Sequence, residues 1–337
     1  MATCTPSKKA HWILESNQLL LTSPAVPRLL AAHVIVECPS LGFTTTGGRQ
    51  SFVNEVLGGA YDSQAEHFLR GDVDVDVEAI GPEAMIVNDH VRMYFGPFPA
   101  LLRIPLNFPY PSGPGKWSRI SGSCAGIIAL FAFAGLVRTA LRSSPLSSGP
   151  GNWLGSAPQG AAALSGTPLV AGEDGSPPKE LSASMRNWLG NACVVGFALG
   201  SPLLFLLGNL SIYNEAIIWG LALSLAALFF ALRAQEANGG ALTHSLLGFS
   251  LCGAGAFLSR VTFGVPFILI SPLLSLRIQR KNRIVNFTVL LLPLAAGLLF
   301  QLLLNFAKFG SFTGEQPTIS TLIQCTGSSP RSTASSI

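Results

Sequence analysis

The stretch His244–Leu276, HSLLGFSLCGAGAFLSRVTFGVPFILISPLLSL, decides how this chain folds. Its 33 residues include Arg260 as the one Asp, Glu, Lys or Arg. As a single helix rising 1.5 Å per residue it would run about 50 Å, far beyond a hydrocarbon core of about 30 Å, yet two full spans would need about 40 residues. The flanks arbitrate. The following segment RIQRKNR, Arg277 to Arg283, holds four basic residues in seven, and the preceding turn lies just after Arg233. Both flanks belong in the cytoplasm under the positive-inside rule, so the block must cross an even number of times. Two short helices, 244–258 and 261–276, are expected to meet near Ser259-Arg260-Val261-Thr262, with Arg260 at or just below the outer surface.

The same logic extends in both directions. Residues 284–306 form one more span, leaving 307–337 as a Ser/Thr-rich outer tail without apolar periodicity, expected to be disordered. Upstream, 215–232 and 188–208 read as spans joined by the outward turn NLSIYN, and 120–141 as a span whose far end is marked cytoplasmic by Arg138 and Arg142. Between them, 143–187 is rich in Ser, Gly, Pro and Ala, the composition of a flexible linker. Residues 1–60 are poorly defined: 19–36 is apolar but broken by Pro24, Pro27 and Arg28, and reads as a weak transmembrane helix or no helix.

Composition supports a membrane protein. Charged residues make up 11% of the 337-residue chain and hydrophobic ones 49%, with a mean hydropathy of +0.46, against roughly 25% charge in soluble domains. The net charge of +4 comes from basic residues at the ends of apolar runs, which excludes nucleic acid as a partner and names the lipid bilayer instead. The expected fold is an all-α, multi-pass integral membrane bundle, with one extracytoplasmic loop, 61–119, that carries a short interfacial helix.

That loop holds eight of the chain's 17 acidic residues within Tyr61–Pro105. Asp62, Glu66 and Arg70 recur at helical spacing, so one carboxylate could act as a base beside an arginine, although spacing alone favours a solvated helix face with an i, i+4 ion pair between Glu66 and Arg70. Asp72, Asp74 and Asp76 alternate with valines; in an extended strand all three would project to one side, where a divalent cation is possible. The run lacks the turn glycine and closing Glu of a calcium loop, so a solvated edge is favoured and neither metal nor cofactor is expected. Downstream, YFGPFPALLRIP from Tyr94 suits an interfacial helix whose Arg103 reaches phosphates. Glu215 reads as a first-turn acid favoured by the helix dipole.

Four segments together resemble bacterial multi-pass proteins of the C-type glycosyltransferase superfamily: Y-x-x-x-A-x-x-F-L-x-G-D at 61–72, YFGPFPALLRIP at 94–105, YNEA at 213–216 and GAFLSRVTFG at 255–264. With fewer spans than that superfamily normally uses, the chain resembles a partial member. The resemblance implies a bacterial inner-membrane location, a polyprenyl-phosphate sugar donor as partner, and an acidic base in the first outer loop, sought just before or within Tyr61–Glu66, where Glu55 precedes the tyrosine and Asp62 and Glu66 follow it. It also implies that Arg260, with Arg70 or Arg103, meets the lipid phosphate, and that the turn carrying Tyr213 and Glu215 lies at the same site. Transfer would be a single inverting displacement of a hexose or pentose. Two other classes share these features: a transporter or flippase for lipid-linked sugars, and a non-catalytic membrane protein.

Overall fold

The chain is described here by a computed structural model covering residues 54–107, 115–143, 182–276 and 283–312. The weak helix expected at 19–36, the core of the 143–187 linker, most of the basic segment after Leu276 and the tail beyond 312 lie outside the described residues. Within them the protein is an all-α, multi-pass membrane bundle with one small two-stranded sheet.

The loop folds first in chain order. Helix α1 (Ala60–Leu69) leads through a polar strap, residues 70–76, into the single turn α2 (Val77–Ile80). Strands β1 (Met85–Val87) and β2 (His90–Arg92) then pair antiparallel, Met85 opposite Arg92. The helix α3 (Phe98–Asn107) follows. Tyr61, Ala65, Val75, Ile80, Met93, Phe95 and Ala100 form a core of their own that also takes in Ile212 from the bundle.

The bundle comprises α4 (Ser118–Ser143), α5 (Ala183–Gly200), α6 (Leu203–Gly208), α7 (Ile212–Glu236), α8 (Gly240–Ser259), α9 (Val261–Ser275) and α10 (Arg283–Phe309). Among the described residues, four helices are long and apolar enough to cross a membrane: α4 over Ser118–Leu141, α7, α8 and α10. At 15 residues, α9 reaches about 22 Å and is too short to cross alone. Helix α7 is central, packed against α4 on one side and α8 on the other, and α8 packs in turn against α10.

Lipid offers no hydrophobic drive for helices to associate, so close backbone approach and interhelical hydrogen bonds must hold the bundle. Small residues supply the first, as where Gly297 meets the Ala254 methyl. For the second, Trp219 Nε1 donates to Ser121 Oγ at 2.9 Å, Ser250 Oγ to the Leu290 carbonyl at 2.7 Å, and Thr243 Oγ1 to Asn286 Oδ1 at 2.6 Å. Each such bond contributes about 0.6 kcal/mol.

Two boundaries differ from the sequence reading. The stretch read as one span at 188–208 is divided into α5 and α6 at Ser201-Pro202, because proline has no N–H to continue the ladder. Helix α5 also begins inside the expected linker, where Ser182 Oγ accepts the Met185 N–H and caps it.

Candidate functional site

Five helix ends meet the loop at one end of the bundle: the starts of α4, α7 and α9 and the finishes of α8 and α10. Specific contacts tie the loop to α4, α7, α8 and α10. The Tyr61 hydroxyl of α1 donates to the Ile212 carbonyl at the start of α7 (3.1 Å). Arg103 of α3 reaches Ser118 of α4 and Glu215 of α7. Gly96 lies against the end of α8, where a Cβ would come within 2.2 Å of the Ser259 carbonyl oxygen, so any side chain there would force the two segments apart. Lys308, in the last turn of α10, donates to the Met93 carbonyl at 2.7 Å.

The four segments quoted above therefore come together. Arg260 stands between α8 and α9 in an extended conformation, φ −155° and ψ 131°, and its charge acts on both Tyr61 and Tyr94. The tight corner depends on Gly264, whose missing Cβ would sit 2.2 Å from that of Phe257. Beside it, the Tyr94 hydroxyl donates to Glu83 Oε2 at 3.2 Å and pairs with the Tyr213 hydroxyl at 2.9 Å. Phe95 packs edge-on to the Tyr213 ring, with centroids 4.7 Å apart. Partial burial, with the Glu83 charge adding, raises the Tyr94 phenol above its ordinary value, so it stays a neutral donor. Tyr61, fully buried, is pushed well up by burial and then by the Glu215 charge.

Asp62 is buried, with both carboxylate oxygens engaged. Oδ1 accepts from Asn107 Nδ2 at 2.9 Å and Oδ2 from the Gly115 N–H at 2.7 Å, while Trp117 Nε1 donates to Asn107 Oδ1 and orients that amide. Glu66 and Arg70 sit apart from it as an exposed i, i+4 pair at 3.3 Å. Helical spacing put the three on one face, yet position along the axis decides their surroundings: residues 60–65 of α1 are inserted in the loop core and the last turn emerges from it. Arg103 turns inward rather than toward headgroups. Its Nη2 lies 2.7 and 2.9 Å from the two oxygens of Glu215, both side chains are fully buried, and among the described residues Arg103 Nε and Nη1 have no hydrogen-bond partner.

The acidic strap is not a strand. Val75 turns into the core and its N–H bonds the Val91 carbonyl, while the three carboxylates divide among His67, His90 and Arg92. Asp72 and Asp76 flank His67, at 3.0 Å from Nδ1 and 3.5 Å from Nε2, and Asp76 also accepts from Ser63 Oγ at 2.7 Å. Asp74 instead pairs with His90 Nδ1 (2.7 Å) and with Arg92. The Ser63 hydrogen bond foremost, opposed by burial and aided by His67, holds the Asp76 carboxyl below its ordinary value. At Asp72 burial pulls upward most strongly but is outweighed by the bonds from His67, Val73 and Asp74, and the net shift is down. Among the described residues, no three His, Cys, Asp or Glu side chains gather as a metal-ligand set.

Asn107, Gly115, Trp117 and Lys308 were not singled out in the sequence. Nothing in their local pattern marks the first three, and Lys308 falls just past the apolar run, where a lysine reads as an ordinary span end. The chain matches no family model, no curated protein and no solved structure in the comparisons made.

Proposed function

We propose that this membrane protein is a glycosyltransferase of the C type, moving a sugar from a polyprenyl-phosphate donor to an acceptor hydroxyl at the non-cytoplasmic face. The observation that carries the reading is the convergence of the four resembling segments on one end of the bundle, around a buried carboxylate and a corner arginine. In this scheme α3 lies at the interface and the loop faces outward, because Arg138, Arg233 and the basic segment after Leu276 follow the opposite helix ends.

Asp62 is the base. Its two hydrogen bonds fix its orientation, and each oxygen keeps a further lone pair for an acceptor hydroxyl. As that oxygen attacks the anomeric carbon its proton passes to Asp62, and the bond from the anomeric carbon to the phosphate oxygen breaks from the opposite side, which inverts the centre. Arg260 stabilises the charge growing on the leaving polyprenyl phosphate. Arg103, whose Nε and Nη1 have no hydrogen-bond partner among the described residues, assists, and Glu215 positions that guanidinium. Tyr213, with Tyr94, offers hydroxyls to the sugar. Glu66 and Arg70 keep a secondary place as an exposed pair.

The test is transfer of labelled sugar from a polyprenyl-phosphate donor by the reconstituted protein. Asp62→Asn is expected to abolish product while membrane insertion stays intact. Undiminished transfer in Asp62→Asn would remove this base and move the assignment to Glu66 or to Glu55, which the fold pairs with Arg119.

A further inference from the structure

Glu83, Tyr94 and Tyr213 meet at the surface of the loop, and their contacts use up both phenol protons. Tyr94 Oη lies 3.2 Å from Glu83 Oε2 and 2.9 Å from Tyr213 Oη. A phenol has one proton, so the arrangement that satisfies both contacts runs in a line, with Tyr213 donating to Tyr94 and Tyr94 to Glu83. No donor is left for a molecule outside the trio. Acceptors are left: a carboxylate offers about four lone-pair sites, of which two phenols fill two at most, and each phenol oxygen keeps a lone pair. The trio is open to solvent, with Tyr94 38% exposed and Glu83 and Tyr213 half-buried. Phe95, its ring centroid 4.2 Å from that of Tyr94, and Tyr213, at 6.5 Å, hold the exposed ring in place.

The ligand that fits must donate, which rules out an anion. It is also not a cation, because the segment lies against the corner that carries Arg260: a Cβ on Gly96 would come within 2.2 Å of the Ser259 carbonyl oxygen. A neutral polyol meets both conditions, and the Tyr94 ring offers apolar surface for the C–H face of a sugar. We propose that Glu83, Tyr94 and Tyr213 form the subsite that recognises the sugar, with hydroxyls on adjacent carbons donating to Glu83 and the ring resting on Tyr94. Glu83 is then the residue that sets which sugar is accepted. This deepens the glycosyl-transfer reading above and rests on it.

The experiment uses the full chain in phosphatidylcholine nanodiscs and follows binding by saturation-transfer NMR. The probes are the methyl glycosides of glucose, mannose, galactose and arabinose, with choline as a cationic comparison and cyclohexanol as an apolar one. At least one glycoside is expected to bind wild type saturably, and neither comparison compound to do so. Glu83→Gln should weaken that binding about tenfold or more, the loss of a hydrogen bond to a charged group. Its thermal midpoint without probe should match wild type, as for other surface substitutions. Tyr94→Ala, which removes the ring, should weaken binding too. No saturable signal from any glycoside, choline or cyclohexanol binding as well as the glycosides, or undiminished binding in Glu83→Gln or Tyr94→Ala would each overturn the subsite. A Glu83→Gln protein already destabilised without probe would do so as well, because the trio would then be a tie between the loop and α7. Binding needs no transfer, so its failure leaves the Asp62→Asn assay untouched, and failure of that assay leaves the glycoside result standing.

Discussion

Arg103 and Glu215 form a fully buried ion pair at the loop end of the bundle. Their pair is sealed from solvent, and in such a setting the cost of taking two charges from water roughly cancels their attraction. What the pair does is bind α3 to the first turn of α7 in one orientation. Removing one partner strands the other: Glu215→Leu is expected to destabilise the protein by about 3–5 kcal/mol, measured by thermal or denaturant unfolding in detergent. The double variant Arg103→Met with Glu215→Leu should recover most of that loss. A double variant as unstable as the single would mean that the site depends on the charges for more than their mutual compensation. Asp62 stands in a different position, because an amide and a backbone N–H satisfy it while no cation among the described residues forms an ion pair with it.

The corner between α8 and α9 and the strap over α1 are the two elements that shape the site. At the corner, Gly96 and Gly264 permit approaches that a methyl group would block, so Gly96→Val should displace the aromatic segment from Arg260. Sugar transfer is then expected to fall while the helical content, read by circular dichroism, holds. The strap responds to acid. In the folded protein the Asp72 and Asp76 carboxyls are held below their ordinary values, so the stabilisation they contribute is complete above the unfolded value of about 4 and is lost as pH falls through the folded ones. Amide exchange across residues 72–76 should therefore rise selectively below about pH 4, where an unfolded Asp also protonates. Exchange that rises instead between neutral pH and about 5 would assign the control to a group other than these carboxylates.

For the assembled protein the expectation concerns sides of the membrane. Leu69 at the exposed end of α1 and Thr262 at the start of α9 lie at the loop end, and Gln235 lies at the opposite end of α7. Single cysteines at these positions, in a background without native cysteines, should react with an impermeant thiol reagent at 69 and 262 and not at 235. Labelling at 235 together with 69 would separate the two ends differently and remove the outward-facing site. These positions suit the test because their side chains are exposed.

The apolar runs, their approximate limits and the break at Arg260 were legible in the residues alone, since hydropathy and flanking charge are properties of contiguous sequence. The helical spacing of Asp62, Glu66 and Arg70 was legible as well. Burial was not, because which turn of α1 enters the loop core depends on what α3 and α7 place around it. Pairings across the chain were equally hidden: Arg103 finds Glu215 112 residues away, and Lys308 finds Met93 at a separation of 215. Local pattern tells where a chain can cross a membrane. Only packing, which brings five helix ends and a loop to one place, selects which polar groups are left facing one another with bonds still to make.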